Sequence, residues 1–217
     1  MPDGEDSITT DWENVRLAHL NMAAAIKGTL TFTDPTSGKV SKVNESDQLW
    51  FFRPRGLHMS ESRAIPGETL SASLFDLGEV FFSTIAERKA VAQDPAAQRR
   101  MCFYLPKVEL AEDATWWSDV IAAMEEQAGI PVGQTKVMFL IESLPAAYNV
   151  EEILYNARRH VIGLNLGRWD YMASLIHWNL DDPAWVLPDR NTIPHDVPFF
   201  QTLRHLLVDI CHRRGAL

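Results

Sequence analysis

Two spacings of apolar residues alternate along this chain. Short, nearly continuous apolar runs appear in "QLWFFRPRG", "MCFYLPK", "TKVMFLIE" and "VIGLNLG". Runs of this length, bounded by Gly, Pro or charged residues, predict strands buried on both faces. Between them lie longer stretches with helical periodicity: residues 11–27, residues 72–92, "TWWSDVIAAMEEQAG", "VEEILYNARRH" and "VPFFQTLRHLLVDICHRRG". In the first of these, Asp11 is the predicted N-cap, with Val15, Leu17, Leu20, Ala24 and Ile26 as the apolar face. Gly129 and Pro131 stop the third, and basic residues close the last turn of the fifth. A stretch of different character, residues 28–44, alternates β-branched and polar residues around Asp34-Pro35-Thr36-Ser37-Gly38, which predicts a small hairpin inserted over the surface. Strands alternating with helices predict βαβ units and an α/β fold with a parallel sheet.

Composition narrows the class of partner. At 217 residues and 46% hydrophobic, the chain can bury a sizeable core as one domain. A formal net charge of −9, with no basic stripe, argues against a nucleic-acid partner. No apolar run is long enough to span a bilayer, and the acidic "MPDGEDSITTDWENV" opening lacks the features of a secretory signal. The expected setting is the cytoplasm, with no membrane partner. Cys102 and Cys211 lack metal-ligand or redox spacing, so both are expected to be buried free thiols. His58, His160, His195 and His212 show no paired spacing for zinc. Trp116-Trp117 and Phe81-Phe82 are expected to pack helices.

Three segments carry the chemistry: Arg55-Gly56-Leu57-His58, Ile141-Glu142-Ser143-Leu144-Pro145, and the stretch from Gly163 to Tyr171. Each follows an apolar run, where a strand ends. In a parallel barrel such ends converge on one mouth, so an arginine and two carboxylates from different strands can meet around an anion and a metal ion. Glu142 and Asp170 are the candidate metal ligands, because Mg²⁺ takes hard oxygen donors and needs only one or two protein carboxylates. Arg55 offers a planar, permanently charged fork for carboxylate and carbonyl oxygens. Arg53, on the same face by strand period, competes for that role. Gly167, Arg168 and Trp169, read as a loop before Asp170, would turn backbone N–H groups toward an anion. Lys107 and Glu109 stand at a further strand end.

The segments "RPRGLH", "FYLPK", "LIESLPAA", "EILYNARRHVIGLNLGRWDY", "VLPDR" and "CHRRGA", in this order, resemble the barrel of A-type malate synthases. The opening "DGEDSITTDWENV" is similar to another segment of that family. The resemblance implies a partial TIM (β/α)8 barrel of about five parallel strands, family strands two to six. A complete barrel takes roughly 250 residues. It implies condensation of acetyl-CoA with glyoxylate to malate and CoA, with Mg²⁺ (or Mn²⁺) held by Glu142 and Asp170 and glyoxylate bound by Arg55. Glu5 and Asp6 match acidic residues lining the family's metal site, and Lys107 is a further supporting residue. The family's first strand, its last strands and the C-terminal domain bearing its catalytic base have no counterpart. The metal and glyoxylate half of the site is therefore expected with acetyl-CoA binding in doubt, and the open sheet edges are expected to promote self-association. Two alternatives are a Mg²⁺-dependent malyl-CoA or citryl-CoA lyase and a non-catalytic barrel fragment. The "GRWDY" and "VLPDR" strings favour malate synthase over the lyase.

Overall fold

The computed structural model describes residues 2–43, 49–93 and 101–217. It forms two compact units, one of residues 1–104 with 124–136 and the other of residues 105–123 with 137–217.

In the first unit, helix α1 (Trp12–Ile26) begins where Asp11 accepts the Asn14 N–H at 3.0 Å. Its buried face differs from the expected one: Val15, His19, Met22, Ala23 and Ala25 are inside, while Leu17 and Leu20 are exposed. Positions 15, 19 and 22 share a face at helical spacing, and His19 is tolerated there because Asp76 takes its Nε2 at 3.0 Å. Strands β1 (Thr31–Thr33) and β2 (Val40–Lys42) form the expected antiparallel hairpin, exposed throughout. Asp34 organises its turn by accepting the N–H groups of Thr36 and Ser37, and Gly38 supplies a φ of +69°. The hairpin's expected last residue, Asn44, lies outside the described residues.

Strand β3 (Trp50–Phe52) is shorter than its apolar run suggests. Beyond it, Arg53 forms an isolated parallel bridge with Asp3, through Gly4 N–H to Arg53 O at 2.8 Å and Arg53 N–H to Pro2 O at 3.2 Å. A small antiparallel pair that the pattern did not predict, β4 (Ser60–Glu61) and β5 (Leu70–Ser71), follows. The helix expected over 72–92 is divided into α2 (Ala72–Ser83) and α3 (Ile85–Val91). The Thr84 hydroxyl donates back to the Val80 carbonyl at 2.7 Å, and its backbone sits at φ −120°, outside the helical region. Strand β6 (Met101–Leu105) pairs in parallel with β3, Phe52 opposite Phe103. Phe52, Leu77, Val80, Phe81 and Phe103 form the core of this unit.

Helix α4 (Ala111–Ala128) opens within the second unit. Strand β7 (Lys136–Ile141), helices α5 (Leu144–Tyr148) and α6 (Val150–Asn156), and strand β8 (Val161–Leu166) follow. β7 and β8 pair in parallel, Ile141 opposite Leu166. Helix α7 (Arg168–Trp178) takes Arg168, Trp169 and Asp170, read from the sequence as loop, into its first turn, and α8 (Pro198–Arg214) closes the unit. α8 carries Pro198 in its first turn, His212, Arg213 and Arg214 in its last, and Gly215 at φ +71° after it. Leu217 then bonds to Ile162 and Leu164 on β8 in the parallel manner. The α/β class, with strands in parallel pairs between helices, is the one expected; among the described residues four strands are in such pairs, against about five expected, and Asp3 adds only an isolated bridge.

Trp117, Phe139, Ile141, Ile153, Phe200 and Leu203 form the core of the second unit. The aromatic doublets divide: Phe81 and Trp117 are buried, Phe82 and Trp116 exposed. Both cysteines are buried, and neither is in a disulfide. Phe139 is 0% exposed, so Phe139→Ala is expected to lower unfolding free energy by about 3–5 kcal/mol, and Asp11→Ala by about 1 kcal/mol. Urea denaturation checks both, and a Phe139→Ala loss no larger than that of Asp11→Ala contradicts the packing described.

Candidate functional site

Glu142 follows the last residue of β7, and burial of the strand carries its side chain inside, leaving the residue 2% exposed. Ser143, next in sequence, caps α5 by accepting the Ala146 N–H at 3.2 Å, so the backbone turns away immediately after the carboxylate. Asp170 reaches the same place from the first turn of α7, after β8. Lys107, just beyond β6, completes the group. Its Nζ lies 3.3 Å from Glu142 Oε2 and 3.0 Å from Asp170 Oδ2, while its backbone N–H donates to Glu142 Oε1 at 2.7 Å. These residues line an open cleft of about 340 Å³ with Ser174 and His177.

Two backbone constraints hold this group together. Lys107 has φ +59°, the only left-handed backbone of a non-glycine residue among those described. Such a conformation costs on the order of 1 kcal/mol or more and persists only where surrounding contacts enforce it; here it lets one residue present both N–H and ammonium to one carboxylate. Gly167 is the second constraint, since a Cβ there would stand 2.5 Å from Glu142 Cβ and 3.2 Å from Leu140 Cγ. The missing side chain makes room for Glu142.

The charge balance is incomplete. Burial first, and then the adjacent Asp170, push the Glu142 carboxyl up to about 8, although Lys107 acts in the opposite sense. Lys107 thus does not offset burial and the second acid together. Two hard oxygen donors facing one cleft are the donor type a divalent ion such as Mg²⁺ takes, with waters completing its shell.

Arg55 stands in the first unit and is 1% exposed. Asp76 accepts from its Nε at 3.0 Å, its Nη2 at 2.8 Å and its backbone N–H at 2.9 Å, and Glu61 accepts from Nη1 at 2.8 Å. Arg63 closes a fork on the other side of Glu61 through Nε at 2.8 Å and Nη2 at 2.7 Å. Against the effect of burial, pairing with Asp76 and Glu61 raises the Arg55 pKa. Arg63 above all, then Arg55, hold the Glu61 carboxyl down at about 2. Sequence reasoning missed Glu61, Asp76 and His19.

The other expected residues are placed as follows. Glu5 and Asp6 join Asp3 around Arg53, whose guanidinium lies 3.0 Å from Glu5 and 3.1 Å from Asp6 and makes two bonds of 2.6 Å to Asp3. Against burial, Arg53 holds the Asp3 carboxyl far below the usual range. Arg168 and Trp169 form the first turn of α7. The Arg168 guanidinium turns to the Ile193 carbonyl and to His195, lying over the Trp169 ring. Arg190 of the "VLPDR" segment stacks on that same ring at 5.1 Å. His160 is buried against Ser118 Oγ at 2.8 Å.

Parallel strands alternating with helices, with acids collected beyond the strand C-termini, define an α/β protein of the kind in which chemistry sits past the strand ends. Residues 49–217 match the family described as "Malate synthase, TIM barrel domain", and the chain belongs to that family. Over its whole length the chain is 38% identical to malate synthase A of Escherichia coli (strain K12), of which it covers 39%. It is 40% identical to malate synthase of Myxococcus xanthus over 39% of that protein, and 41% identical to malate synthase of Streptomyces clavuligerus over 40%. The chain thus spans about two-fifths of the length of these relatives.

Gly167→Ala is expected to destabilise the chain by about 1–3 kcal/mol, the usual cost of forcing atoms into a filled space; an unchanged urea midpoint contradicts the close approach to Glu142. Glu61 gives a pH signature. Its folded pKa of about 2 lies below the ordinary 4.5, so its contribution is present above pH 4.5 and is lost as pH falls toward 2. Glu61→Gln is expected to lower stability at neutral pH and to flatten the acid limb of the denaturation profile. A profile parallel to that of the parent would show that Glu61 is not held by its arginines.

Proposed function

We propose that this chain provides the metal-binding and glyoxylate-binding part of a malate synthase site, serving the condensation of acetyl-CoA with glyoxylate to malate and CoA. The observation that carries the reading is that Glu142 and Asp170, from the ends of different strand–helix units, are bridged by one ammonium. In this reading Glu142 and Asp170 hold Mg²⁺, for which Mn²⁺ substitutes. When bound, the ion polarises the glyoxylate carbonyl as a Lewis acid.

The chain's own residues supply orientation and charge. Of the five N–H donors of the Arg55 side chain, three are spent on Asp76 and Glu61, which fix the plane of the fork. The remaining two, one on each Nη, are offered to the oxygens of the 2-oxo acid. The first backbone N–H groups of α7, at Arg168 and Trp169, have no partner one turn earlier in the helix and favour a carboxylate by direction and dipole. Glu5 and Asp6 act through Arg53, holding the segment before α1 against the end of β3. The acetyl methyl proton passes to a group outside this set. The enolate carbon then attacks the aldehyde carbon, and negative charge develops on the aldehyde oxygen, where preorganised positive groups contribute most; protonation of that oxygen gives malyl-CoA, and hydrolysis of its thioester by water releases malate and CoA.

Calorimetric titration with Mn²⁺ tests the reading. One site is expected, abolished by either Glu142→Ala or Asp170→Ala, with glyoxylate binding that depends on the metal and is weakened in Arg55→Lys. If both carboxylate variants bind Mn²⁺ as the parent does, the metal assignment is wrong. If Arg53→Lys loses glyoxylate while Arg55→Lys does not, the anion role moves to Arg53.

A further inference from the structure

Lys107 sits where a divalent ion would. Its ammonium lies 3.0 Å from Asp170 and 3.3 Å from Glu142, and it is the cation that accompanies these two acids here. Its backbone is fixed independently of its side chain, by the left-handed φ of +59° and by the bond from its N–H to Glu142 Oε1 at 2.7 Å. The residue's anchor thus stays in place wherever the flexible four-carbon stem points. The side chain is 30% exposed, which leaves it a path toward the cleft.

We propose that Lys107 is a built-in competitor for the metal site: its ammonium bridges Glu142 and Asp170, and a divalent cation binds by displacing it. The proposal rests on the metal reading above. An ammonium and a divalent ion cannot share the same two carboxylates at contact distance without strong mutual repulsion. The long, strongly hydrated lysine side chain is the partner that can leave. The arrangement lowers apparent metal affinity and keeps a buried carboxylate compensated when no ion is present. It also frees one ammonium at the cleft once the metal enters.

Lys107→Met keeps the chain length and the backbone N–H to Glu142 but removes the charge. Titrated with Mn²⁺, it is expected to bind at the same single site about tenfold more tightly than the parent, the factor for one charge-assisted hydrogen bond no longer given up. Lys107→Arg is expected to bind no more tightly than the parent. A second measurement needs no variant: acetylation of Lys107 in the parent chain, followed by mass spectrometry, is expected to quicken on adding saturating Mn²⁺. Equal or weaker Mn²⁺ binding by Lys107→Met, or Lys107 acetylation that is unchanged or slowed by Mn²⁺, overturns the competition. Glu142→Gln in both backgrounds separates the two readings. If it abolishes binding in both, the metal site stands whatever Lys107 does. If it changes neither, the metal reading fails and the competition with it.

Discussion

The placement of one carboxylate, Glu142, organises the second unit of this protein. An acid 2% exposed at the end of a buried strand is costly unless cations and donors meet it. Three neighbouring features answer that cost. Lys107 adopts a left-handed backbone so that its amide reaches Oε1, its ammonium spans Glu142 and Asp170, and Gly167 leaves out the side chain that would collide with Glu142. Each of these departs from what local propensity favours, and each departure points at the same atoms. Strain at Lys107, a buried acid and a missing side chain thus coincide at one place.

The first unit contains a second charged group built on different logic. Arg55, Glu61 and Asp76 are all at most 1% exposed, and the geometry is bidentate on both acids. Buried pairs of this kind contribute less to net stability than their contact distances suggest, but removing one partner is costly because it strands the other. Their value here is orientation. Two acids fix the plane of the Arg55 guanidinium.

Much of this was legible in the sequence where the signal is local. Short apolar runs became strands, so the places of Glu142 just after β7 and of Asp170 shortly after β8 were readable, as were the α8 boundaries at Pro198 and Gly215. Partners distant in sequence were not readable: Asp76 is 21 residues from Arg55 and 57 from His19. Nothing near them announces the pairing. The face of α1 was misread because a histidine takes a core position once Asp76 is present to bond it. Helix α7 was missed because Gly167 caps it without a side-chain bond, and the break at Thr84 depends on a hydroxyl choosing the Val80 carbonyl over solvent. The strain at Lys107 had no sequence signal, since lysine is an ordinary residue and only its φ is unusual.

The central claim is that the acids beyond β7 and β8 form a divalent-cation site whose place lysine holds. A crystal of the chain grown with Mn²⁺ and examined by anomalous scattering at the manganese edge tests it most directly. The account predicts one peak in coordination range of both Glu142 and Asp170, with the Lys107 ammonium moved away from between them and its backbone unchanged. A peak elsewhere with Lys107 still bridging the two carboxylates would contradict it.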